Sequence, residues 1–389
     1  MTRGGAGGAA QPGRPAPPLV RLALGPAFAL LLLLLLGAAA RPSPAAAAPP
    51  PDVAARAWAV VDARTGVFIG GEDADVSLPM ASTTKVMTAL VVLREVRDLD
   101  TVMTVPAAVE RLPFGTLDLV PGTRYTCDDL LWALLVESAN DAAVTLAVNV
   151  AGSEAKFVRM MNAEARRLGL EGTRFRNSHG IDQRGHYSTA RDLCELGRLA
   201  MAGSRFAGYV RHRTHRFTYA RTGKKVALRS QNDFLSDFVW ADGVKSGETR
   251  QAHFCLVASG APRDERLVAA LLGSVSRERR SEDAGAIIEW GAAQYTAWAM
   301  PAPGSVVALV WGPGGRRDLP LALVAGEAGA SLPPGVEPWA SVDRSLQLRS
   351  ALAPGAGLAF LTWRAGERHL GTGVAYGTAG HVTDTAAAP

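Results

Sequence analysis

The spacing of hydrophobic and polar positions changes several times along the chain, and each change marks an element. An apolar run from Leu22 to Ala40 contains unbroken leucines from Leu30 to Leu36. Trp58 to Asp62 and Val67 to Ile69, divided by Arg64-Thr65-Gly66, read as a short hairpin that starts a sheet. Val86, Met87, Leu90 and Leu93 then recur at helical spacing, and apolar residues on more than one side predict a helix deep in the molecule. A second helix from Asp128 carries Leu130, Leu131, Leu134 and Leu135, breaks over Glu137-Ser-Ala-Asn-Asp141 and resumes to Val150. Helices follow from Glu154 to Leu168, stopped by Gly169, and from Ala190 to Met201 after a cap at Ser188 or Thr189. This middle portion reads as a helical lobe inserted between strands. Strands return at Gly243 to Gly247, Phe254 to Ser259 and Leu267 to Leu272, and a helix from Ser281 to about Tyr295 closes the region. After Pro301, short apolar runs at Val306–Trp311, Leu319–Val324, Ser345–Leu348 and Leu358–Trp363 alternate with Gly- and Pro-rich turns, which predicts a small β domain over 302–378.

The first apolar run follows scattered arginines and precedes an Ala-, Pro- and Ser-rich stretch, the order of a secretory signal peptide over residues 1–48. Small residues at Ala38–Ala40 or Ala45–Ala48 offer cleavage sites. An uncleaved anchor is the competing reading, because about nineteen residues approach spanning length. Either way the remainder is expected outside the cytoplasmic membrane. The leader also explains the charge. Of the formal +5, Arg3, Arg14, Arg21 and Arg41 supply four with no acid among the first fifty residues, which leaves +1 and no case for a nucleic-acid partner. Cys127, Cys194 and Cys255 are too few and scattered for a disulfide framework or a zinc site, so they read as buried thiols with a single disulfide as the alternative. No metal or other cofactor is expected. The polar, alanine-rich tail His381–Pro389 has no apolar face, so no C-terminal membrane anchor is expected.

Candidate chemistry starts at Pro79-Met-Ala-Ser-Thr-Thr-Lys85. Ser82 and Lys85 stand three residues apart, about one helical turn, which sets a hydroxyl beside an amine. A neutral lysine takes the serine proton without a histidine, provided nearby positive charge and exclusion of water lower its pKa. On its own the spacing also describes a helix cap followed by a solvated lysine. Ser138 and Asn140 fall on the break between helices, where they point into a cleft or merely cap the next helix. Lys245-Ser246-Gly247 supplies a positive charge, a hydroxyl able to hold a carboxylate and a residue that lets a substrate approach the backbone.

The order Ser-x-x-Lys, Ser-x-Asn, Lys-Ser/Thr-Gly is that of penicillin-binding proteins and class A β-lactamases. The chain resembles the serine-type D-alanyl-D-alanine carboxypeptidases, the low-molecular-mass penicillin-binding proteins. Leu134-Leu-Val-Glu-Ser-Ala-Asn-Asp-Ala-Ala143, Asn177-Ser-His-Gly-Ile-Asp182, His186-Tyr-Ser-Thr-Ala-Arg-Asp192, Asp242-Gly-Val-Lys-Ser-Gly247 and Ala252-His-Phe-Cys-Leu-Val-Ala-Ser259 carry the likeness across a catalytic domain spanning 54–297. It implies an α/β (α+β) fold, an antiparallel sheet flanked by helices with a helical lobe, followed by a small C-terminal β-sandwich. It implies that Ser82 attacks the D-Ala-D-Ala carbonyl with Lys85 as base, and that Ser138 relays a proton to the leaving D-alanine. By the same resemblance Asn140 holds the substrate amide, Lys245 keeps Lys85 neutral and Ser246 binds the terminal carboxylate. The N–H groups of Ser82 and Glu248 form the oxyanion hole beside Gly247, and Arg280 is a further carboxylate candidate.

Four positions depart from the family pattern. Ser246 replaces the commoner threonine, Glu248 and His253 stand where relatives often carry other residues, and Gln231 occupies a place usually basic. A carboxylate at Glu248 is expected to weaken substrate binding if it points inward. His179, His186 and Asp182 read as loop structure. The expected partners are peptidoglycan stem peptides and β-lactam antibiotics. The alternatives are a D,D-endopeptidase acting on cross-links and a non-catalytic penicillin-sensing or wall-binding protein. A β-lactamase is disfavoured because no Glu-x-x-Leu-Asn motif is present.

Overall fold

The computed structural model describes residues 48–295 with their side chains and, beyond them, backbone strands between residues 296 and 377. Two strands, β1 (Ala57–Asp62) and β2 (Phe68–Glu72), form the expected hairpin. The Ser82 segment follows as a tight turn at Ala81–Thr83 that runs into α1 (Thr84–Glu95). The helical lobe is entered by a short ribbon, β3 (Val102–Thr104) with β4 (Arg124–Thr126), which the sequence pattern did not announce. Then come α2 (Cys127–Trp132), a single π turn at Ala133–Glu137, α3 (Asn140–Ala151), α4 (Glu154–Arg167), α5 (Ala190–Met201) and α6 (Ser204–Val210). A second ribbon pairs β5 (Thr214–Thr218) with β6 (Lys225–Arg229), and the one-turn α7 (Phe234–Asp237) leads to the long strands β7 (Ala241–Thr249), β8 (His253–Gly260) and β9 (Leu267–Ser274). The closing helix α8 spans Arg277–Ala293, four residues earlier than the predicted start, because Ser276 caps it by accepting from Arg279 N.

The main sheet has the order β2-β1-β9-β8-β7, antiparallel throughout. Side chains alternate between its faces. Ala57, Ala59, Val61, Val257, Val268 and Ala270 join one apolar cluster with residues of α1 and α5, whereas Trp58, Val60, Leu256, Ala258, Leu267 and Ala269 join another with Ile287 and Ile288 of α8. Helices therefore cover both faces. That is why β1, Ala-Trp-Ala-Val-Val-Asp, is buried at every position and reads in sequence as a run rather than an alternation. In α1 the fully buried apolar positions are Val86, Met87, Ala89, Val91 and Val92; Leu90 and Leu93 are only partly covered. Cys127, Cys194 and Cys255 are buried and free, which removes the disulfide alternative.

The C-terminal strands lie close to the predicted runs. β10 (Thr296–Ala299) pairs with β13 (Gly329–Leu332). A five-stranded antiparallel sheet joins β11 (Val306–Trp311), β12 (Arg317–Ala325), β16 (Arg368–Gly377), β15 (Gly357–Ala365) and β14 (Trp339–Val342). The expected run at Ser345–Leu348, the leader before Ala48 and the tail after Gly377 lie outside the described residues. Among the described residues no helix is long and apolar enough to cross a membrane.

Candidate active site

Ser82 is set by an unusual piece of backbone. Ala81, just before it, has φ +50°, a conformation disfavoured for a residue with a Cβ, and the surrounding contacts hold it there. Thr83 Oγ1 donates to Met80 O and Thr84 Oγ1 to Ala81 O, both at 2.7 Å. Two glycines allow neighbouring chain to close on this turn. A Cβ on Gly180, whose φ is +97°, would lie 2.0 Å from Ala81 O, and one on Gly247 would lie 2.5 Å from Ser82 N. The β7 backbone thus passes directly against the Ser82 turn, and Glu248 N–H follows at once.

Lys85 is completely buried, and its Nζ lies 2.8 Å from Ser82 Oγ, 2.7 Å from Asn140 Oδ1 and 2.7 Å from His179 O. None of these partners is a carboxylate. Burial foremost, then the charge of Lys245, hold the Lys85 pKa well below the ordinary lysine value, against a smaller opposing pull from Asp141. Lys245 is buried too, donates to Ser246 O at 2.9 Å, and is lowered to about 7 by burial and by the Arg280 charge. Two buried ammonium groups without a carboxylate partner cost folding energy, and their mutual repulsion favours a neutral amine beside Ser82.

Ser82, Ser138, Asn140, Ser246, Gly247, Glu248 and Arg280 line one cleft of about 550 Å³, and Lys85 and Lys245 lie buried with it. Ser138 sits at φ +68° where the π turn ends, and its hydroxyl makes no hydrogen bond among the described residues. Asn140 is not on the turn but opens α3, and each end of its amide has one partner. Its Oδ1 accepts from Lys85 and its Nδ2 donates to Phe114 O at 2.8 Å, so it positions the lysine and the 114–116 rim together. Ser246 Oγ donates to Gln231 O at 2.5 Å. Arg280 is 3% exposed, with a long contact of 3.4 Å to Asp233 and a buried Nε that has no partner among the described residues. The Glu248 carboxylate does not face the cleft unopposed: Arg277 grips it through Nη2 at 2.7 Å and Nε at 3.0 Å.

The 177–186 loop buttresses the turn from behind. The His179 carbonyl is its functional atom; the ring, lowered to about 3 by burial, is neutral beside Glu154. His186 Nδ1 accepts from Arg176 N at 2.9 Å, so its Nε2–H faces Thr84 Oγ1 at 2.8 Å. Asp182 accepts from Thr249 Oγ1 and Gln251 N, tying the loop to the end of β7.

A model of the D-alanyl-D-alanine carboxypeptidase family matches residues 44–276. The chain belongs to that family. The carboxypeptidase DacC of Escherichia coli is 33% identical over 250 residues, 61% of each chain, so the present chain spans about three fifths of that relative's length. Two solved structures share the catalytic fold. The Streptomyces K15 DD-transpeptidase is 30% identical, with a TM-score of 0.59 over 62% of this chain and 98% of that one. The D-alanyl-D-alanine carboxypeptidase of Mycobacterium tuberculosis is 33% identical, with a TM-score of 0.60 over 64% and 96%. The fold expected from the sequence is the fold of this family.

Three contributors escaped the sequence. The His179 carbonyl and the Phe114–Thr116 rim act through backbone and position, which leave no residue-type signature. Arg277 was findable: it lies one turn before Arg280, so a helix start at Ser276 puts both arginines on one face.

Proposed function

We propose that the chain is a serine D,D-carboxypeptidase that removes the terminal D-alanine from peptidoglycan stem peptides through an acyl-enzyme on Ser82. The observation that carries this reading is the buried Lys85 amine 2.8 Å from Ser82 Oγ, with burial and Lys245 favouring its neutral form. Ser82 Oγ bonds to the penultimate D-alanine carbonyl carbon while its proton passes to Lys85 Nζ. The oxyanion faces the N–H groups of Ser82 and Glu248. The C–N bond then breaks, and the departing amine takes the proton from Lys85 by way of Ser138. A water molecule repeats the sequence on the ester and frees Ser82. Ser246 and Arg280 hold the substrate's terminal carboxylate, Lys245 supplies positive field, and Asn140 keeps Lys85 in place.

β-Lactams are the expected covalent inhibitors, since they present an acyl group and a carboxylate to the same residues. The leader-like segment supports export to the periplasm or the outer side of the membrane, where the wall is remodelled and cell shape is set. Purified protein incubated with a pentapeptide muropeptide is expected to release D-alanine, and Ser82→Ala to abolish release. Cross-linked dimers beside it report endopeptidase action. Retained wall binding with no turnover of either substrate would overturn the hydrolase reading.

A further inference from the structure

The residue after the Lys-Ser-Gly strand segment is a glutamate, in a cleft proposed above to bind a carboxylate. The rim shows how this is compatible. Glu248 and Glu137 face Arg250, Arg277 and Arg280 around the cleft, three guanidinium groups against two carboxylates. Arg280 is buried in the cleft wall, whereas Arg277 is half exposed and both of its hydrogen bonds go to Glu248 Oε2. The contact joins the end of β7 to the first residue of α8, across 29 residues of chain, and fixes no part of either core. It raises the Arg277 pKa through the hydrogen bond to Glu248, so the guanidinium stays charged at any working pH.

We propose that Arg277 is a specificity-determining residue: it neutralises Glu248 at the cleft mouth so that carboxylate-terminated ligands reach Ser246 and Arg280. The inference rests on the proposed function for its substrate and deepens that reading. Each partner masks the other. Without Arg277 the lining becomes two cations against two anions, and Glu248 repels the incoming carboxylate. Without Glu248 the lining becomes three cations against one anion, and attraction rises. The two single substitutions therefore act on binding in opposite directions, which a merely structural ion pair does not do. Because the pair is solvent-exposed, the effect is modest, about three- to fivefold, and fades as salt rises.

The test is a double-mutant cycle of Arg277→Gln and Glu248→Gln on two readouts: KM and kcat for D-alanine release from a pentapeptide, and the concentration of a fluorescent penicillin that half-saturates Ser82 labelling at fixed time. Arg277→Gln is expected to raise both KM and the labelling concentration about three- to fivefold at low salt with kcat little changed. Glu248→Gln is expected to lower them, and the double variant to return within about twofold of the parent. Losses of the same sign in both single variants, no effect of Arg277→Gln, or no recovery in the double variant would overturn the inference. If the parent protein labels with penicillin but releases no D-alanine, the carboxypeptidase reading fails while the labelling cycle still decides the role of Arg277. Thermal melts of all four proteins separate binding changes from misfolding.

Discussion

Gly247 makes the most exacting prediction, because the contact that sets it can be measured. A Cβ added there would meet Ser82 N at 2.5 Å, Ala81 Cβ at 2.9 Å and Thr83 N at 3.0 Å. Contact becomes ordinary near 3.4 Å, so strand and turn must part by the difference, about 0.9 Å. None of the three obstacles is a flexible side chain. Ser82 N and Thr83 N belong to the turn that Thr83, Thr84 and Lys85 tie down, and β7 is held on its other side by pairing with β8. Gly247→Ala is therefore expected to cost about 1–3 kcal/mol of stability by overpacking. It also moves the Ser82 and Glu248 N–H groups apart by nearly the displacement that typically costs about 10²-fold in rate, or about 2.7 kcal/mol of barrier. The assay is kcat/KM on a D-Ala-D-Ala peptide together with the thermal midpoint. Gly208→Ala is the control, since its Cβ would meet nothing within 4 Å, and in helix α6 it should stabilise by up to about 1 kcal/mol. A folded Gly247→Ala protein with kcat/KM within about threefold of the parent would refute the claim that the close approach of β7 builds the oxyanion site.

The remaining predictions concern titration. Lys245 lowers the Lys85 pKa, so Lys245→Gln should lower kcat/KM by about 10²-fold and move the acidic limb of its pH profile to higher pH; an unmoved limb would separate Lys245 from the basicity of Lys85. His186 is buried neutral with a pKa lowered to about 4 by burial, against about 6.5 when unfolded. A depressed histidine leaves stability intact above the unfolded value and removes it as pH falls through the folded one. This site alone accounts for about 3 kcal/mol lost between pH 6.5 and 4, which His186→Asn should abolish from the pH dependence of the melting temperature.

What the sequence made legible here was local. Ser82 and Lys85 share one helical turn, and Lys245 and Ser246 are neighbours on a strand, so fixed helix and strand geometry relates each pair before anything else is known. The strands β1, β8 and β9 were legible because burial on both faces leaves continuous apolar runs. The ribbons β3–β4 and β5–β6 were not, since strands of three to five residues with exposed alternate positions look like any polar loop. The same division applies inside the site. Spacing placed the amine beside the hydroxyl, yet spacing does not distinguish a base from a charged lysine. That distinction depends on complete burial, on acceptors that are carbonyl and amide oxygens rather than carboxylates, and on a second buried lysine 160 residues away in sequence. All three are properties of the packed molecule. A Ser-x-x-Lys motif without them remains a helix start, and the acidic limb of the Lys245→Gln protein is where these two meanings give different numbers.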